Sequence, residues 1–342
     1  MQNKITNLLR LALLSLLLQF APIAHAHTPL KITLAAPGPG SFSYLPIDLI
    51  KKIGADRAEG VDLEVRYFGG GPLAASEMLK GNNDFAALGM SALASLYVEG
   101  KDVKSIVSIS RAPTYVLSVR SELQPYIKTV ADLKGHVIGV HSSGKNNKST
   151  SRQLVEFMLQ RAGISPDSAN FLSAGQSFME QRAAIMSGSI DALMGEEPFS
   201  SRLAEAGLVY ILADLHNEKM ARQALGGPFL YVQIATRSDL LQQQPEKVKR
   251  MVAIMRRVLY WIASNKPDEI ARMLHGNDQA ALLDSKQLLA RNKSVFSPDG
   301  IFRRQEVTTT ERFFLYLSKN DPKVRNLRLT DFIDARYAGW RE

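Results

Sequence analysis

Met78-Leu79-Lys80-Gly81-Asn82-Asn83-Asp84-Phe85-Ala86-Ala87-Leu88-Gly89 is echoed further along the chain by Ile185-Met186-Ser187-Gly188-Ser189-Ile190-Asp191-Ala192-Leu193-Met194-Gly195. Each stretch reads as a helix end, a glycine free to take positive φ, an acid three residues on, a short apolar strand and a closing glycine. Two such units in matching contexts predict two lobes of similar construction.

Outward from these units, strands and helices alternate. Leu30 to Leu34 reads as a first strand, broken by Pro37-Gly38-Pro39-Gly40-Ser41, with a helix from about Tyr44 to Ile53. Val61-Asp62-Leu63-Glu64-Val65-Arg66-Tyr67 alternates apolar and polar residues, the period of a strand. Gly69-Gly70-Gly71-Pro72 is a loop, and Ala74 to Lys80 a helix. The pattern predicts an α/β fold with parallel strands and helices on both faces. A second echo pairs Thr114 to Leu123 with Phe229 to Leu240, the expected crossings between lobes. Residues 27–113 and 232–342 would then form a discontinuous first lobe, and 114–231 an inserted second one. Towards the C-terminus, Pro245 suits a first helical turn, and Val248, Val252, Met255, Leu259 and Ile262 form an apolar helix stripe.

The first 26 residues carry Lys4 and Arg10, an apolar run from Leu11 to Leu18 and Ala24-His25-Ala26. That is the pattern of a cleaved secretory signal peptide, and the run is short for a membrane span. The expected location is the periplasm, away from ATP, nicotinamides and genomic DNA. The net charge of +9 comes from cations spread along the chain, which points to a solvated surface rather than a nucleic-acid site. Cysteine is absent, so no disulfide, thiolate nucleophile or cysteine-based metal site is available.

No catalytic constellation stands out. Gly139-Val140-His141-Ser142-Ser143-Gly144-Lys145 matches most of a phosphate-binding loop, but Asn146 follows where Ser or Thr would hold magnesium. Its glycines and serines, between a strand and a helix capped by Ser149 or Thr150, still offer backbone N–H groups to an anion or polar group. Glu196 and Glu197 are adjacent on an extended segment and point to opposite faces, so at most one enters a cleft. The histidines do not cluster at metal-ligand spacing, and there is no G-x-S-x-G elbow. No cofactor is expected.

The chain resembles the periplasmic solute-binding proteins of the sulfonate, nitrate, taurine and thiamine-precursor group, the NMT1/THI5-like family. The residues that carry the resemblance run in order. They are Ser43-Tyr44-Leu45-Pro46-Ile47, Gly60 to Glu64, Gly81 to Phe85, Val130 to Gly135, Arg161 to Ile164, Gly188 to Ala192, Glu197-Pro198-Phe199 and Gln244 to Val248. The resemblance implies a type II periplasmic binding protein fold, two α/β lobes that hinge shut on a small solute and pass it to an ABC permease. It places pocket positions on Ser41 and Phe42, Met90 and Ser91, and Thr114. In the second lobe it places them on Ser149, Thr150 and Glu197. A lengthened loop from His141 to Lys148 leaves Ser142 and Ser143 as an alternative to Ser149 and Thr150. The family's iron-dependent enzymes use cysteines, which this chain lacks, so no enzyme activity is implied. Receptors of this kind work as single chains. The alternative role for the same fold is a periplasmic sensor subunit.

Overall fold

A computed structural model describes residues 28–68, 70–141, 149–175, 177–317, 324 and 326–342. The signal-peptide stretch and the Ser142–Lys148 segment lie outside the described residues.

Two five-stranded sheets share one strand order. In the first, β1 (Leu30–Pro37) pairs in parallel with β2 (Val61–Phe68) and β3 (Phe85–Gly89). In the second, β6 (Val137–Val140) pairs in parallel with β7 (Asn170–Ser173) and β8 (Ala192–Glu196). Each sheet is completed by an antiparallel strand that arrives from the other. The strand β5 (Tyr115–Arg120) lies between β8 and β9 (Val209–Asp214), and β10 (Val232–Arg237) between β3 and β4 (Val103–Ser108).

The repeated acid explains why both sheets form alike. Asp84 accepts from the Thr33 N–H at 2.9 Å and pairs with Lys247 at 2.9 Å, tying the start of β3 to β1. Asp191 accepts from the Val137 N–H at 3.0 Å and from Arg120 at 3.2 Å, and meets His136 Nδ1 at 3.0 Å. Asp191 thus ties β8 to β6. In both units a glycine at positive φ (Gly81 at 82°, Gly188 at 70°) turns the chain from helix to strand.

The chain passes between the sheets between β4 and β5 and between β9 and β10, where each echoed segment begins. The two passages pair with each other: Ile109 N–H donates to Val232 O at 2.8 Å, Tyr231 N–H to Ser110 O at 3.1 Å and Phe229 N–H to Arg111 O at 2.8 Å. Each echoed segment therefore begins in a passage and continues as the first strand on arrival.

One apolar core runs through both sheets and the crossings, and a smaller cluster around Ile190, Leu193 and Leu203 packs against the second sheet. Gly139 on β6 faces that cluster, where a Cβ would lie 2.6 Å from Ile190 Cδ1. The stripe from Val248 to Ile262 is buried on the Pro245–Ser264 helix, which packs on the Leu45–Lys52 helix. Phe313 of the Arg304–Leu317 helix packs against Phe157 of the Thr150–Arg161 helix, their ring centroids 5.0 Å apart. Among the described residues no helix is long and apolar enough to cross a membrane.

Candidate functional site

In open α/β sheets, ligands sit beyond the carboxyl ends of the parallel strands. Here those ends bear Ser41–Tyr44 after β1, Gly89–Ser91 after β3, His141 after β6 and Glu196 at the end of β8. The two sheets bring these loops together. A Cβ on Gly89 would lie 3.9 Å from Thr150 Oγ1 and 3.8 Å from Tyr231 Cε2, so the two lobes face each other at close range there.

Glu196 sits at the junction. It accepts from the Tyr231 hydroxyl at 3.1 Å and from Ser43 Oγ at 3.4 Å. Ser43 also shares a short hydrogen bond with the Thr114 hydroxyl, and both residues are buried. Tyr115 lies directly opposite Glu196 in the β5–β8 register. Its ring meets Tyr231 edge-on at 6.0 Å and the His141 ring at 5.5 Å. The group joins β1's loop, the first crossing, β5, β8 and the second crossing.

Burial, and after it the Glu196 charge, push the Tyr44 and Tyr115 phenols above their ordinary range. Burial, then the neighbouring Tyr115 and Glu196, do the same to Tyr231. All three are hydroxyl donors at any physiological pH. Burial holds the His141 imidazole below its usual pKa, against the pull of Glu196, so it is uncharged at neutral pH.

The residues expected from sequence are distributed as follows. Thr114 and Thr150 lie in this junction. Met90 is buried, with its N–H donating to Tyr231 O at 2.7 Å; Ser91 beside it is buried in the first turn of the Met90–Val98 helix. Ser41 Oγ is shielded from solvent and has no hydrogen-bond partner among the described residues. Phe42 is buried with its ring 5.1 Å from Phe296, a packing contact. Ser149 caps the following helix, accepting from Arg152 N–H at 3.4 Å. Ser142 and Ser143 lie outside the described residues. Glu197, favoured from sequence, is buried and accepts from Ser201 N–H at 3.1 Å and Ser201 Oγ at 2.7 Å. It fastens the Phe199–Glu205 helix, while its neighbour Glu196 reaches the junction. The side-by-side acids occupy two environments, Glu197 against its own helix and Glu196 at the junction.

Residues 57–270 match the profile described as NMT1/THI5 like. The chain belongs to that family. No curated protein matches it. A solved protein from Bordetella bronchiseptica RB50 is 24% identical, with a TM-score of 0.76 over 91% of this chain and 96% of its own. The alkanesulfonate-binding protein SsuA from Xanthomonas axonopodis pv. citri, solved bound to MOPS, is 16% identical, with a TM-score of 0.69 over 91% and 100%. A mutant of DSZB in complex with biphenyl-2-sulfinic acid is 15% identical, with a TM-score of 0.63 over 90% and 97%. At these identities the likeness is one of fold, the periplasmic binding protein fold.

Sequence reasoning missed three aromatic residues at this junction, Tyr44, Tyr115 and Tyr231. Tyr115 stands next to the chosen Thr114, at the start of β5, and Tyr44 two residues after the chosen Phe42, beyond the end of β1. Tyr231 carried a weaker signal: it is the last residue before β10, in the second echoed segment.

Proposed function

We propose that this chain is a periplasmic receptor for a small solute, exported by the leader at residues 1–26, that delivers its cargo to an ABC permease. Its lobes would be residues 27–113 with 232–342, and residues 114–231. The carrying observation is the junction of Ser43, Thr114, Tyr115, Glu196 and Tyr231, in which hydroxyls, rings and one carboxylate from both sheets and both crossings converge. Such a junction rearranges when two lobes hinge, and it supplies polar contacts that strengthen when water is excluded. Among the described residues the His141 ring meets Tyr115 at 5.5 Å, and the His141 backbone N–H donates to Ser151 Oγ at 2.9 Å.

The sulfonate-bound relative adds weight to an organic solute. Sulfonates, taurine, nitrate and other small anions, and thiamine-type pyrimidines form the candidate range. The test is thermal unfolding of refolded, ligand-free protein against that range. A saturable rise in melting temperature for one class supports the reading, because only the native state binds. Chemical turnover of the solute by the purified protein contradicts it.

A further inference from the structure

The Arg304–Leu317 helix is an excursion of the chain from β4, the outer strand of the first sheet. Before it, Gly300 O accepts from the Ser108 N–H of β4 at 3.1 Å. After it, the Asp334 N–H donates to Ser105 O of the same strand at 2.8 Å. Between these anchors one stripe of the helix makes three successive contacts. Glu306 accepts from Arg111 Nε, on the first crossing, at 2.5 Å. Thr310 Oγ1 accepts from the Leu230 N–H, on the second crossing, at 2.9 Å, and Phe313 meets the Phe229 ring edge-on at 5.2 Å. Phe313 and Tyr316 then reach the Thr150–Arg161 helix, which packs on the second sheet. Their rings lie 5.0 and 5.4 Å from Phe157, and the Tyr316 hydroxyl donates to Gln160 O at 3.2 Å. Steps of four, three and three residues keep Glu306, Thr310, Phe313 and Tyr316 on one helical face, over a rise of about 15 Å.

A helix fixed at its base to both crossings, and at its tip to the second sheet's packing, takes part in any motion about those crossings. A contact biases a hinge only towards the arrangement in which it is made. The tip contact is made here, where Ser43 Oγ and Glu196 meet across the cleft at 3.4 Å. We propose that the Arg304–Leu317 helix is a strut that holds the lobes in this closed arrangement, with Phe157 and Tyr316 as its outer latch. The assignment rests on the receptor reading and adds a control on solute affinity that lies outside the cleft. Apparent affinity scales with the fraction of protein already in the binding arrangement, so loosening the latch weakens solute binding without touching a cleft residue.

The chain has no cysteine, so cysteines placed at Leu73 and Met179 carry two unique spin labels. Both side chains are exposed. Each stands in the first turn of a helix that follows an edge strand, one for each sheet. Double electron–electron resonance on the refolded, solute-free protein then reads the separation of the lobes. Tyr316→Ala should move the closed-to-open ratio about 3- to 10-fold towards longer separations, the worth of one aromatic contact. Tyr316 is 40% exposed, so its truncation spares the core. Phe157→Leu loosens the same latch from the other side, and decides the matter if Tyr316→Ala does not unfold cooperatively. Separations unchanged or shortened in the deciding variant overturn the strut. The receptor reading falls only if the solute screen also finds no binding, which tells the two failures apart.

Discussion

Replacing Asp191 by Asn tests the physical reason for the duplicated acid. The native carboxylate accepts from the Val137 N–H, His136 and Arg120. Although burial pushes its pKa up, the Val137 N–H, then His136 and Arg120, together hold the carboxyl below its usual range. Asn offers a single acceptor oxygen and no charge. The variant thus loses at least one charge-assisted hydrogen bond, worth about 1.5–3 kcal/mol when partly buried. The Arg120 contact adds little, because both partners keep some exposure to water. A cost of about 2 kcal/mol lowers the melting temperature by roughly 3 °C in a chain of this size. The sign with pH is fixed. A depressed folded-state pKa gives stability that is present above the unfolded value of about 3.9 and lost as pH falls through the folded one. Urea unfolding followed by circular dichroism should show the gap between wild type and variant at pH 7 and its shrinkage below about pH 4. A gap under about 0.5 kcal/mol at pH 7, or one undiminished in acid, refutes the argument that this carboxylate pins β8 to β6.

Gly139→Ala places a Cβ 2.6 Å from Ile190 Cδ1 and 3.1 Å from the Ala174 Cβ, so overpacking should cost about 1–3 kcal/mol in urea unfolding. Phe313→Ala removes a fully buried ring that packs against Phe157 and meets Phe229 edge-on, and should cost about 3–5 kcal/mol, read by the same method. Burial raises the Glu306 carboxyl despite Arg111, so the wild type should lose stability as pH rises through that raised value. In Glu306→Gln that slope should vanish from the urea midpoints measured between pH 4 and 8.

The two-sheet plan was readable because one local device was used twice. Helix end, glycine, acid and strand recur with the same spacing, and the acid's partner in each sheet is the parallel strand that precedes it. The stripe from Val248 to Ile262 was readable for a similar reason, since helix period alone decides which face is buried. The site was less so. Glu196 and Glu197 are chemically identical neighbours, and their division depends on Ser201 one helical turn ahead and on Ser43 and Tyr231 brought from afar. Tyr231 reaches Glu196 only because the two crossings run side by side, a long-range pairing that no local period encodes. Phe42 shows the converse. The resemblance placed it among the pocket positions, and its ring packs 5.1 Å from Phe296, a residue far along the chain that no local pattern links to it.

The most direct test of the receptor account is binding stoichiometry in the wild type and in Gly89→Leu. Gly89 has an ordinary φ of −69°, so leucine does not strain the backbone. Its side chain would start from a Cβ 3.8 Å from Tyr231 and 3.9 Å from Thr150, filling the gap between lobes. Titration calorimetry on refolded protein, with mass-spectrometric recovery of the solute, should give one unaltered molecule bound per chain in the wild type. Gly89→Leu should bind none while still unfolding cooperatively. Undiminished binding in Gly89→Leu, or recovery of a chemically changed solute from the wild type, would contradict an interlobe solute receptor.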